Sequence, residues 1–158
     1  MRVGTKPIRH GKNRERGSTL VEFTLTILPL LALLMLTFDT VWVIFASACI
    51  QEGVREGVRF AITGQSDASI RAKVQQYSFG FVTNSSSAGP VQVNYYSPTN
   101  PSTAITGTGS NCSGNIVKVV VSGVSISPVA PIWRSAAPLI LAASAADIVE
   151  SNPGCPSR

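Results

Sequence analysis

Arg16-Gly17-Ser18-Thr19-Leu20-Val21-Glu22-Phe23 joins a basic segment to a long apolar one, and the reading of the whole chain works outward from this junction. From Phe23 to Phe38 there is no charged side chain. Residues 18–38, at about 1.5 Å per residue, make a helix of about 31 Å, one hydrocarbon thickness. Glu22 is the exception inside that stretch, at the fifth position past Gly17. A carboxylate at membrane depth costs at least about 2–3 kcal/mol, so one that sits there is read as functional.

The net charge of +5 is a property of the first sixteen residues. Arg2, Lys6, Arg9, Lys12, Arg14 and Arg16 stand there against Glu15, and the basic and acidic residues from Gly17 onward balance. Nucleic-acid binding would need clustered charge on the folded part, so it is not expected. A basic segment ahead of an apolar helix holds the N-terminus in the cytoplasm and sends the remainder outward. An ordinary secretory signal, cut near Ala46-Ser47-Ala48, is the alternative. The sequence there runs on as helix, which is unlike a cleavage region.

Pro29 interrupts the span and removes a backbone hydrogen bond, with Thr24 and Thr26 in reach of the freed carbonyls. It reads either as a site of local unwinding or as a tolerated membrane proline. Asp39 reads either as a contact inside the membrane or as an interfacial acid facing water. Trp42, a plausible interfacial anchor, favours the second. The helix continues through 41–63 without proline, and Gly64 supplies a C-cap. Cys49, Gly53, Gly57 and Ala61 form a row of small side chains at four-residue spacing, beside Ile50, Val54, Val58 and Ile62. Such a row predicts close approach of another element. Glu52 with Arg55 and Glu56 with Arg59 are i,i+3 pairs on the polar side.

Two blocks resemble one family. The junction is similar to the G/xxxxE[YF] cleavage site of Flp (tight-adherence) pilins and their TadE/TadF pseudopilins, with Gly17, Ser18, Glu22 and Phe23 at the matching positions. The stretch Cys49–Ala61 resembles the A-A-R-E-G-A-R-Y-A segment of TadE-like proteins. Arg55, Glu56, Gly57, Arg59 and Ala61 match directly; Gly53 and Val54 replace alanines, and Phe60 replaces a tyrosine. The resemblance implies a leader, residues 1–17, cut after Gly17 by a prepilin peptidase. It also implies a role for Glu22 in assembly and a packing role for the Gly53–Arg59 block. Implied partners are other pilins or pseudopilins and the platform membrane proteins of the pilus machine. The implied function is that of a minor pseudopilin of a type IVb tight-adherence pilus or a related secretion apparatus.

Beyond the helix, Ile70, Val74 and Tyr77 recur at helical spacing, predicting a short amphipathic helix. Val91–Tyr95 alternates as a strand. Residues 97–115, rich in proline and glycine, read as one long loop. Ile116–Ile126 reads as a central strand bent at Gly123. Residues 127–138 read as a connection, with Ile132 and Trp133 packed down. The alanine-rich 139–149 stretch is ambiguous between strand and helix by composition; its position and the pattern that the resemblance implies favour a strand paired with 116–126. The expected fold is α+β: a long N-terminal transmembrane helix continuing into a periplasmic helix, packed on a small antiparallel sheet. The expected divisions are a leader (1–17), a transmembrane helix (18–46) and a periplasmic or extracellular domain (47–158), anchored in a bacterial inner membrane.

Catalysis has little to draw on. His10, the only histidine, lies in the leader, and the acids from Gly17 onward have no paired arrangement. No catalytic residue, metal or cofactor is expected. An uncleaved, single-span periplasmic binding protein whose 97–115 loop meets a ligand is the competing reading. Of the three cysteines, Cys112 and Cys155 both lie in turn-rich sequence on the exported, oxidising side and are expected to pair, while Cys49 is left to packing.

Overall fold

The computed structural model describes residues 14–83, 89–127, 129 and 138–150. Residues 1–13, Ile132, Trp133 and Cys155 lie outside the described residues. The order of elements is α1 (Arg14–Ala61), α2 (Asp67–Tyr77), β1 (Val91–Ser97), β2 (Asn100–Ile105), β3 (Ile116–Ile126) and β4 (Leu139–Ile148). A long apolar helix and a small antiparallel four-stranded sheet make the α+β arrangement read from the sequence. The chain separates into two compact units between Phe38 and Asp39.

The first unit is the N-terminal part of α1. The helix begins at Arg14, so residues 14–16 of the expected leader are already helical. Arginine and glutamate are good helix formers, and continuity with the apolar run extends the helix back through them. Leu20, Leu25, Leu28 and Leu33 are all exposed, an apolar surface on nearly every side. The helix is long and apolar enough to cross a membrane. Thr24 and Thr26 donate to the carbonyls of Leu20 and Glu22, at 2.8 and 2.9 Å. Their hydroxyls are thus satisfied one turn back, as is usual for helical threonine, and do not serve the carbonyl freed by Pro29.

In the second unit, the later part of α1 lies on the sheet with α2 beside it. Ala46, Ile50, Val54 and Val58 of α1 join Ile70 and Val74 of α2 in one core with the sheet's inner face. Ser66 caps α2, its hydroxyl accepting from the Ser69 N–H. Tyr77, expected on the buried face, is exposed and lies under the Lys73 ammonium, 4.9 Å from the ring centre. After Ala61, Gly64 takes φ 75° and its N–H returns to the Ala61 carbonyl. That left-handed position suits glycine and closes the helix end.

The sheet order is β2-β1-β3-β4, antiparallel throughout. Val91, Val93 and Tyr95 of β1 and Val117, Val119 and Val121 of β3 face the helices. On β3 the buried positions then change parity, from Val121 to Val124 and Ile126. The cause is a bulge: Val121 pairs with Ala143 but Val124 with Leu141, leaving one extra residue on β3, where Gly123 has φ 75°. With regular pairing through this point Val124 and Ile126 would point to solvent. The bend expected at Gly123 is this bulge.

Residues 97–115 are not one loop. Asn100–Ile105 forms β2, pairing with β1 through Tyr95↔Ile105 and Tyr96↔Ala104. Pro101 is tolerated because β2 is an edge strand, and nearly every β2 residue is exposed, so no apolar alternation marked it. The pairing read for the last strand is the one observed, β4 on β3. Its end is latched: the Val149 N–H donates to Asn115 and the Glu150 N–H to Ile62, at the C-terminal end of α1.

Candidate functional site

Gly17, Ser18, Glu22 and Phe23 lie on α1, and Ser18, Glu22 and Phe23 are exposed. A Cβ added at Gly17 would meet nothing within 4 Å. The glycine is therefore not required by packing within this chain. Ser18 and Glu22 are four residues apart on a helix, which puts them one turn apart on a common face. Glu22 is surrounded in sequence by exposed Leu20, Val21, Phe23 and Leu25, so the carboxylate sits on an apolar surface.

The block from Cys49 to Ala61 does a different job. Cys49, Gly53, Gly57 and Ala61 are all buried, along with Ile50, Val54 and Val58. A Cβ at Gly53 would come to 2.9 Å from the Val74 carbonyl oxygen and 3.2 Å from the Ser78 nitrogen. One at Gly57 would overlap the Val74 side chain. The two glycines are therefore where the backbone of α1 meets the C-terminal turn of α2. Arg55 and Arg59 are exposed and Glu56 is half-buried. Arg59 reaches Glu56 at 3.9 Å, a contact open to solvent and worth little. Among the described residues Glu52 and Arg55 make no ion pair, unlike the expectation. Phe60 lies under the Lys73 ammonium at 5.7 Å, a second tie between α1 and α2.

Asp39 does not face water. It is 8% exposed, and its Oδ1 accepts the Val129 N–H at 2.8 Å. The interfacial-acid reading is corrected: the carboxylate ties the start of this unit to the segment after β3. Sequence could not show this, because the donor is a main-chain N–H 90 residues away. A second link also went unread: Tyr95, fully buried, donates its hydroxyl to Asp67 at 3.2 Å, and Asp67 lies 3.8 Å from Arg71.

Cys49 is a free, buried thiol, and Cys112 is disulfide-bonded. Ser113 donates to the Glu150 carbonyl at 3.0 Å, and the Gly114 N–H donates to Val149. The Cys112 loop therefore lies against the chain shortly before Cys155.

No curated protein and no solved structure matches the chain. A family model described as TadE-like protein matches residues 17–59, a segment that opens at Gly17 and closes at Arg59. The matched segment takes in the part of α1 that is long and apolar enough to cross a membrane and the Gly53–Arg59 block. Over residues 17–59 the chain is similar to TadE-like proteins.

Proposed function

We propose that the chain is a minor pseudopilin of a tight-adherence pilus or a related secretion apparatus. A prepilin peptidase cuts it after Gly17, the domain beyond the span is exported, and the N-terminus stays cytoplasmic. The observation that carries this reading is the Gly17–Glu22 spacing at the head of a lipid-length apolar helix, inside the TadE-like segment. Cleavage frees the α-amine of Ser18, one helical turn from the Glu22 carboxylate. In lipid each charge alone is costly, and pairing within one subunit or between neighbours offsets that cost. The pair also orients packing, because a subunit docked out of register leaves a carboxylate unpaired. Partners are then the other pilins and pseudopilins and the platform proteins in the membrane. The exposed apolar surface of α1 is the part that meets them.

The substitution Glu22→Gln tests the role of the carboxylate. It keeps size and helix propensity but cannot neutralise an amine. Insertion into the membrane should be unchanged while pili per cell and surface adhesion fall. Unchanged piliation in cells whose only copy carries Glu22→Gln would remove the assembly role.

A further inference from the structure

We propose that the Ser78–Phe81 turn is a second membrane contact, with Phe79 inserted into the lipid interface beside Trp42 and Phe45. The inference rests on the membrane-spanning reading of α1 and adds a surface to it.

The turn is built against the preference of its own residues. The Phe81 N–H donates to the Ser78 carbonyl at 3.0 Å, and the two central residues both have positive φ, 51° at Phe79 and 84° at Gly80. That is the pattern of a type I′ turn, whose first central position suits asparagine, aspartate or glycine. A bulky aromatic there is disfavoured and strained. Phe79 is the only described residue other than glycine with positive φ. It gains no burial in return, being 74% exposed. Ser78, fully buried, anchors the turn through its hydroxyl to the Gln75 carbonyl and its N–H to Val74. The fold thus holds an exposed phenyl ring in a fixed place without using it.

Its surroundings name the occupant. Phe81 packs edge-on against Trp42 at 5.6 Å and Phe45 at 6.1 Å, and Trp42 and Phe45 touch each other at 6.1 Å. Val41, Trp42, Ile44 and Phe45 are all exposed, continuing the apolar surface of α1 past Asp39. If residues 18–38 fill the hydrocarbon, Trp42 and Phe45 lie about 6 to 10 Å beyond its edge at about 1.5 Å per residue. The headgroup layer is about 5–7 Å deep on each side, so Trp42 falls within it and Phe45 at its outer edge, where aromatic side chains concentrate. Phe81 is held at that level by its ring contacts, and Phe79 is two residues away across the turn. A lipid interface accounts for both the strained, exposed phenylalanine and the exposed apolar positions around it. The contact would fix how the exported domain leans on the membrane, with two points of attachment in place of one.

The test uses the full chain in phosphatidylcholine–phosphatidylglycerol vesicles, with Cys49 replaced by alanine and nitroxide labels placed singly at Phe79→Cys, Leu31→Cys and Thr108→Cys. Collision with oxygen, which partitions into lipid, is compared with collision with a water-soluble nickel chelate. The label at 79 should favour oxygen over nickel several-fold more than the label at 108, which lies in the loop near the far end of α1. A label at 79 as nickel-accessible as that at 108, with the label at 31 in lipid, overturns the inference and leaves the span intact. A label at 31 that is itself nickel-accessible overturns the membrane reading on which it rests. Shielding of 79 from both reagents with spin–spin broadening means a second copy covers the turn, and it also overturns the inference. Phe79→Asn should raise the melting temperature in detergent by relieving the turn. A fall would mean Phe79 serves the fold, and would overturn the inference.

Discussion

The Asp39 carboxylate and the Val129 main-chain N–H, 90 residues apart, meet at 2.8 Å. This bond closes the second unit at its first residue, since the unit begins at Asp39. It also explains how an acid can sit at the end of the apolar stretch of α1 while almost fully buried. A charged acceptor bound to a backbone donor is stronger than a neutral pair, and removing it leaves the donor unsatisfied. Asp39→Ala should lower the stability of the second unit by about 1–3 kcal/mol, and Asp39→Asn by less, because the amide oxygen can still accept. Thermal unfolding of the two variants in detergent checks the order; equal losses would count against the bond.

Gly57 and Val74 supply a second test. Alanine at 57 overlaps the Val74 side chain, so the single change forces α1 and α2 apart and should cost about 1–3 kcal/mol despite the better helix propensity of alanine. Val74→Ala alone should also destabilise, by loss of a buried side chain. Combined, the two should be less harmful than their sum, since the smaller residue makes room for the new methyl. Denaturant unfolding of both single variants and the double completes the cycle. Strict additivity would mean the helices do not meet at this point.

Much of this packing was legible in advance, and the reasons for the failures are specific. The row of small residues at 49, 53, 57 and 61 announced a close approach because helical spacing maps directly onto one face. The alternation of β1 and the β-branched run of β3 announced the sheet. β2 was not legible: an edge strand with both faces in water needs no apolar pattern, and its proline argued against it. The Asp39 bond was not legible because its donor carries no side-chain signature. Phe79 looked ordinary, since nothing local in the sequence marks a positive φ at a phenylalanine.

Cys112 is already bonded, and we propose Cys155 as its partner, given that Ser113 and Gly114 hold the nearby Val149–Glu150 backbone. Non-reducing peptide mapping should find the 112–155 linkage with Cys49 free. Cys112→Ser should lower the melting temperature under oxidising conditions, with about 4 kcal/mol as the chain-entropy ceiling for a loop of this length. A linkage that includes Cys49, or free thiols at both positions, would be the contrary result.

The central claim, a pseudopilin processed at the junction of leader and span, is tested most directly by the N-terminus of the protein taken from membranes of cells with an active prepilin peptidase. Peptide mass mapping should return Ser18 as the first residue. The Gly17→Val variant should retain the leader peptides in the same cells. Wild-type protein that still carries the residues before Gly17, in cells whose major pilin is processed, would contradict the claim.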